Sequence, residues 1–315
     1  MRYINEFQEG DRISGIYLCK QKTSAMTKNG KPYDSVLLQD KTGILDGKIW
    51  DPNSLGIEDF DGLDYIDIVG DVTSFAGAMQ LNVKRVRKAH EGEYDPADYL
   101  PVSENSTDDM YVQLTGLVNS VKNPHLSALL NRVFLQDTEF VNEFQSHSAA
   151  KTVHHSFIGG LMQHTLSVAR LCDYMAGVYP VLNRDLLITS ALLHDMGKTR
   201  ELSSFPLNDY TDEGQLLGHI VIGAQMIHDY VKEIPDFPVV LENQLVHCIL
   251  AHHGELEFGS PKKPALAEAV ALNLADNTDA KLETLTEVFA ADKGKKEWIG
   301  FNRFFDSNLR RTGEI

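Results

Sequence analysis

Five apolar stretches in the rear part of the chain each carry polar side chains where a helix would turn its buried face. They are His164 in GGLMQHTLSVA, His194 and Asp195 in ALLHDMG, His219 in LLGHIVIGA, His252 and His253 in ILAHHGE, and Asp276 in ALNLADNTDA. Apolar residues at three-and-four spacing around them predict helices packed into a shared core. An imidazole or carboxylate on such a face must find a partner or lose about a few kcal/mol of hydration. A single buried histidine is most simply a hydrogen-bonded core residue, and His228 and His247 are read in that way. His90, His125 and His147 are read as surface or linker residues. Five such stretches taken together constrain the fold more tightly, because their polar groups are expected to converge. A divalent cation satisfies several of them at once.

Cys19, Cys172 and Cys248 lie far apart and form no CxxC pair, which excludes a Cys-rich zinc site and a disulfide framework. Imidazole with carboxylate suits Mn²⁺, Fe²⁺, Co²⁺ or Zn²⁺, or Mg²⁺ with more waters. More candidate ligands are present than one ion needs, so two ions bridged by a carboxylate are expected. Such a pair turns water into a nucleophile at neutral pH and stabilises a phosphoryl group during displacement.

Ahead of these helices the chain reads as strands: DRISGIYLCKQ, YDSVLLQD, ILDGKIWD, DYIDIVGDVTSF and MQLNVKRVRK. In the last of them Met79, Leu81 and Val83 alternate with Gln80, Asn82 and Lys84, the period of a strand with one buried face. Five strands with glycine at the turns predict a small closed barrel over residues 1–90. Residues 91–108, EGEYDPADYLPVSENSTD, are acidic, hold two prolines and lack periodicity, so a linker is expected. Residues 109–315 read as helices throughout, with Asn183 as an N-cap and Gly197 and Gly254 as stops. The fold class is multi-domain α+β, a five-stranded barrel followed by an all-α bundle.

The formal net charge of −16 argues against a general nucleic-acid coat protein. Basic residues nevertheless cluster in the front part, as Arg12, Lys20, Lys22, Lys28 and Lys31 and again as Lys84, Arg85, Arg87 and Lys88. MRYINEFQEGD has no signal-peptide core and no apolar run reaches about 18 residues, so a cytoplasmic location and no membrane partner are expected.

The order His164, then His194-Asp195, then Asp276 resembles the HD superfamily of metal-dependent phosphohydrolases. His219 and the pair His252–His253 resemble its branch with a dinuclear centre. HHSFIGGLMQHTLSVA is similar, more narrowly, to the YhaM-type 3′-to-5′ exoribonucleases, which carry an OB-fold ahead of the HD domain. The resemblance implies a first metal site of His164, His194, Asp195 and Asp276. It implies a second site, bridged by Asp195 and completed by His219, His252 and His253. Mn²⁺ is the favoured metal, with Co²⁺, Fe²⁺, Mg²⁺ and Zn²⁺ left open. Lys198 would reach a substrate phosphate as a point charge; the bland reading is a solvated lysine after a helix stop. Of His154 and His155, the latter is the one expected to face the phosphate or leaving oxygen. Single-stranded RNA is the implied substrate, with single-stranded DNA and a homo-oligomer left open.

A barrel that grips a single strand needs cations for the backbone and aromatic faces for bases. Lys28 and Lys31 in the first long loop, with Tyr33, Trp50 and Phe75, are the candidates, and Tyr17 is an aromatic of the same strands. Near the C-terminus, FNRFFDSNLRR interleaves aromatics with Arg303, Arg310 and Arg311. A helix packing its rings on the bundle is the preferred reading there; the resemblance offers Arg303 as an RNA contact.

Overall fold

Strict alternation builds the front of the molecule. In β2 (Pro32–Asp40) Val36 and Leu38 point inward and Ser35 and Leu37 outward, and β3 (Gly43–Ile49) and β4 (Tyr65–Phe75) repeat the pattern. With β1 (Arg12–Met26) and β5 (Ala78–Lys88) they close a barrel in the order β1-β2-β3-β5-β4, with β3 running parallel to β5 at Asp46↔Gln80. This five-stranded closed barrel is of the OB type. Its core is apolar and includes Ile13, Val36, Leu38, Ile68 and Leu81, all at most 2% exposed.

The structure is a computed structural model that describes residues 1–27, 29–75, 77–100, 103, 105–151, 157–291 and 297–313. It divides into two units, Met1–Glu104 with Ser203–Asp209, and Asn105–Leu202 with Tyr210–Ile315. In the first unit β1 runs five residues past its expected end. The extension pairs with β2 from Lys22↔Val36 to Met26↔Pro32, because β2 is long enough to satisfy those backbone groups. After β5 the chain packs back on the barrel. Tyr94 stacks on Tyr65 with ring centroids 3.8 Å apart, and Tyr99 and Leu100 are buried.

The second unit is helical: α1 (Thr107–Ser120), α2 (Pro124–Asn131), α3 (Thr138–Ser146), α4 (Gly160–Val178), α5 (Arg184–Leu193), α6 (Lys198–Glu201), α7 (Asp212–Lys232), α8 (Val239–Ala251) and α9 (Ala267–Ala291). Side-chain caps mark the starts of α1, α2, α3, α5 and α7. Asn183 accepts from Leu186 N at 3.2 Å, and Asn123 caps α2, whose first residue is Pro124. One apolar core joins Leu126, Phe134, Leu166, Leu192, Ile227 and Ile249. No helix among the described residues is long and apolar enough to cross a membrane.

The segment expected as a C-terminal helix is instead a hairpin, β6 (Trp298–Asn302) and β7 (Ser307–Arg310). Asn302 Oδ1 accepts from Phe304 N at 2.9 Å, a local turn that competes with helix, and Gly300 takes a φ of 112°. Its rings do not pack as anticipated: Trp298, Phe301 and Phe304 are each more than half exposed.

Candidate functional site

Each polar group that the sequence places in an apolar helix reaches a common centre in the helical unit. His164 comes from the second turn of α4, and His194 and Asp195 from the end of α5. Gly197 does not stop a helix in left-handed geometry; its φ is −64°. It is glycine because α7 crosses there, and a Cβ would lie 2.1 Å from His219 O and 2.6 Å from Gly223 N. That close approach brings His219 in, just after α7 breaks at Gly218 (φ 73°, ψ 154°). Gly254 is a true left-handed stop, φ +81°, and ends the turn that carries His252 and His253. Asn273 of α9 donates to His252 O at 2.7 Å, and Asp276 follows one turn later.

The donors fall into two groups, one on each oxygen of Asp195. Around Oδ2, His164 Nε2 lies at 3.4 Å and His194 Nε2 at 3.3 Å. Asp276 Oδ1 is 3.2 Å from His164 Nε2, and the two Nε2 atoms are 3.2 Å apart. Around Oδ1, His219 Nε2 lies at 3.5 Å and His252 Nε2 at 3.7 Å. His253 completes this second group, with its ring centroid 4.3 Å from that of His252 and 5.2 Å from that of His219. Within each trio, His164–His194–Asp276 and His219–His252–His253, the ligand atoms lie within 4.8 Å of one another.

The opposite ring nitrogens are all engaged. His194 Nδ1 pairs with Ala191 O (2.8 Å), His252 Nδ1 with Ile249 O (2.7 Å) and His253 Nδ1 with Phe258 O (2.9 Å). His164 Nδ1 pairs with Asp279 Oδ2 at 2.7 Å, and His219 Nδ1 with Glu201 Oε1 at 3.0 Å. Donation from Nδ1 leaves each Nε2 lone pair facing the centre.

The centre also holds buried polar atoms without hydrogen-bond partners: Asp195 Oδ1, His219 Nε2 and His252 Nε2. Each such atom costs about 1–3 kcal/mol if nothing satisfies it. Ligands about 2.1 Å from one ion lie about 3 Å apart, near the spacings found here. The donor set therefore fits divalent cations. Its electrostatics agree. Against burial, Lys198, His194 and His164 hold Asp195 well below the ordinary carboxylate range. Against burial, His164 above all holds Asp276 low. Burial, then the neighbouring His253 and His194, push His252 well below its usual range. Burial alone would lower His164 too, but Asp195, Asp276 and Asp279 raise it.

Lys198 is not a solvated lysine. Its Nζ lies 2.7 Å from Asp195 Oδ2 and its side chain is largely buried. Glu201 and Asp279 are the residues that sequence reasoning missed. Both sit three positions after a candidate residue, Lys198 and Asp276, hence on the same helical face, a spacing that offered the signal. His147, expected at the surface, is buried, and its ring nitrogens meet Ser148 O and Leu202 O. His228, expected in the core, is half exposed and pairs with Glu242. His247 accepts from Ala265 N at 2.9 Å. His154 and His155 lie outside the described residues, as does Lys28.

In the barrel unit the register Asp34↔Ile49 sets Tyr33 beside Trp50 on the outer face of β2 and β3. Their rings lie 5.3 Å apart at 30°, Trp50 is half exposed, and exposed Lys31 precedes them in the β1–β2 loop. Phe75 is exposed at the β4–β5 turn. Tyr17 is fully buried, donating from its hydroxyl to Arg2 O at 2.6 Å, and belongs to the core. The basic run 84–88 is largely offset by acids: Lys84 pairs with Asp71, Arg87 with Asp67 and Glu93, and Lys88 with Asp64. Arg303 is exposed in the turn between β6 and β7.

Residues 161–281 match the family model of the HD domain. That HD domain contains both donor groups, with Lys198, Glu201 and Asp279, and marks the helical unit as that of a divalent-metal-dependent phosphohydrolase. Among solved structures, the chain is similar to a replication protein A heterotrimer bound to ssDNA, at 14% identity over 28% of this chain and 64% of that one, TM-score 0.22. It is also similar to the p204 HINb domain, at 20% over 28% and 47%, TM-score 0.23. A third is the second OB-fold domain of replication protein A from Methanococcus maripaludis, at 19% over 29% and 96%, TM-score 0.22. The first two matches take in less than two thirds of those chains. The strand order of the barrel, rather than these likenesses, identifies its fold.

Proposed function

We propose that the chain is a metal-dependent 3′-to-5′ exonuclease of the YhaM type. It hydrolyses phosphodiester bonds of single-stranded RNA, with single-stranded DNA as a second substrate, and releases nucleoside 5′-monophosphates. The observation that carries the reading is Asp195, whose two oxygens face two separate trios of donors. A carboxylate shared in this way is the arrangement that two-cation phosphodiester hydrolysis needs. When bound, two divalent cations, Mn²⁺ first among them, activate water and neutralise charge on the phosphoryl oxygens.

The residues of the chain have distinct tasks. His164, His194 and Asp276 would hold one cation, His219, His252 and His253 would hold the other, and Asp195 would be shared between them. Asp195 also keeps Lys198 charged and in place, where its ammonium contacts a non-bridging phosphate oxygen of the substrate. The leaving 3′-oxygen takes its proton from water or from a nearby histidine, for which His155 is the candidate. The burial of His164, His194, Asp195 and His252, each at most 2% exposed, limits bulk water at the site and strengthens each of these contacts.

Residues 1–90 serve as the strand-gripping module, 91–108 as the connection, and 109–315, with Arg303 as a further contact, as the hydrolytic module. Tyr33 and Trp50 offer two faces for bases, with Lys31 ahead of them in the β1–β2 loop, and Lys28 and Phe75 are further candidate contacts. A binding module on the same chain raises the local concentration of long single strands at the hydrolytic module, a gain that a small substrate would not exploit. The thiols are reduced and the protein works in the cytoplasm.

The test is a gel of end-labelled single-stranded RNA incubated with Mn²⁺. Stepwise shortening from the 3′ end with release of 5′-monophosphates is the expected outcome. An intact oligomer alongside hydrolysed free nucleotides or cyclic dinucleotides would transfer the site to a small substrate. Retention without cleavage would reduce the protein to a binding module.

A further inference from the structure

We infer that Glu201 and Asp279 are positioning residues, each holding one histidine of one donor group, so that the two cation sites are tuned separately. The inference rests on the two-cation reading above. Three of the five inward-facing imidazoles, His194, His252 and His253, are oriented by neutral backbone carbonyls. The other two, His164 and His219, are oriented by carboxylates, and these fall one to each group. A carboxylate that accepts the Nδ1 proton fixes the tautomer and pushes electron density toward Nε2, making that nitrogen the stronger donor. Each cation site thus has one reinforced imidazole.

The way Glu201 is held argues for positioning rather than incidental pairing. The break of α7 at Gly218 leaves the His219 N–H without the carbonyl a continuous helix would supply. Glu201 Oε1 accepts that N–H at 2.9 Å and the ring Nδ1 at 3.0 Å. One oxygen therefore fixes both backbone and ring of the same residue. The side chain of Glu201 is only 12% exposed, and its chain segment is pinned by Thr211 N donating to Glu201 O. A Cβ on Gly214 would lie 2.1 Å from that same oxygen, so the contact depends on glycine. Asp279 is fixed differently. It lies three positions after Asp276 on α9, so one helix presents a ligand to the cation and a buttress to the ligand beside it. The two buttresses come from different helices, α6 and α9, and share no histidine.

Isothermal titration of the full-length chain with Mn²⁺ tests this, using Glu201→Gln and Asp279→Asn, which keep side-chain shape and remove charge. The wild-type chain is expected to take up two ions. In each variant one binding step weakens roughly 10–100-fold and the other stays within about threefold, and the weakened step differs between the two variants. The Co²⁺-loaded protein supplies a second readout, since each variant shifts its visible ligand-field bands; a role confined to folding leaves the bands of folded protein unchanged. If Glu201→Gln fails to fold, Asp279→Asn alone must weaken a single step. Two ions in the wild type with both steps weakened equally, or neither, would overturn the inference and leave the two-cation reading standing. Fewer than two ions in the wild type would bring down that reading, and the inference with it.

Discussion

The interior of the HD domain and the outer face of the barrel present their candidate functional side chains by opposite means. Inside the HD domain the array is polar within apolar surroundings. His164, His194, Asp195 and His252 are at most 2% exposed, and every imidazole is fixed through its second nitrogen. On the barrel the array is apolar within polar surroundings. Trp50 and Phe75 are 50% and 73% exposed, and Tyr33 is held against Trp50. Burying a polar group is costly unless it is satisfied, so the first kind of array demands a ligand and marks itself. Exposing an aromatic ring singly is ordinary, so the second kind is defined by company and geometry.

The sharpest way to break this contrast is at Asp195. Asp195→Ala should abolish Mn²⁺ uptake by both donor groups and lower phosphodiesterase activity by roughly 10³-fold or more, because each carboxylate oxygen faces a different group. The variant also strands the buried ammonium of Lys198, so about 3–5 kcal/mol of stability is at stake. Asp195→Asn keeps the shape and separates the two effects. Metal analysis of the folded protein is the measurement, and a full complement of two ions in Asp195→Asn would sink the shared-carboxylate arrangement.

How much of this was legible beforehand follows the same physics. The polar positions that converge on Asp195 could be read from the sequence because each interrupts a 3.6-residue apolar period, and a break in a period is visible in one dimension. Glu201 and Asp279 gave only the weaker signal of a three-residue spacing from Lys198 and Asp276, at positions where a helix tolerates charge; only the fold shows that those positions face an imidazole. Gly197 was read as a stop, whereas its reason is the crossing of α7, a contact between segments more than twenty residues apart. The barrel strands were legible from their alternation, yet alternation does not say which face of β1 is the inner one. The C-terminal hairpin was misread because aromatic and basic residues at mixed spacing fit a helix as well as a strand. The deciding bond, from Phe304 N to Asn302 Oδ1, is local and depends on one side chain.

Trp50→Ala sharpens the barrel side of the comparison. Loss of one stacking face should weaken single-stranded RNA binding by about 1–3 kcal/mol, or roughly 5–150-fold, measured by fluorescence anisotropy at fixed salt. Hydrolysis of a small chromogenic diester by the same variant should be unchanged, since that substrate does not use the barrel. An equal loss on both substrates would show that Trp50 is holding the barrel together rather than holding RNA.

The smallest expected effect is the most discriminating, because it sets two tyrosines of the same barrel against each other. Tyr17 is fully buried, edge-on to Phe7 at 5.9 Å, and donates its hydroxyl to Arg2 O. Tyr17→Phe keeps the ring and removes that one bond, so the barrel should lose about 1 kcal/mol of stability and no affinity for RNA. Tyr33→Ala removes a ring from the outer face and should do the reverse, weakening RNA binding with little change in the unfolding midpoint. Denaturant unfolding followed through the barrel's tryptophan, paired with anisotropy on the same two variants, reads both quantities. Reduced RNA affinity in Tyr17→Phe would mean that the outer face depends on the N-terminal segment that Tyr17 anchors, and the barrel's core and binding surface would then be one coupled system rather than two separable ones.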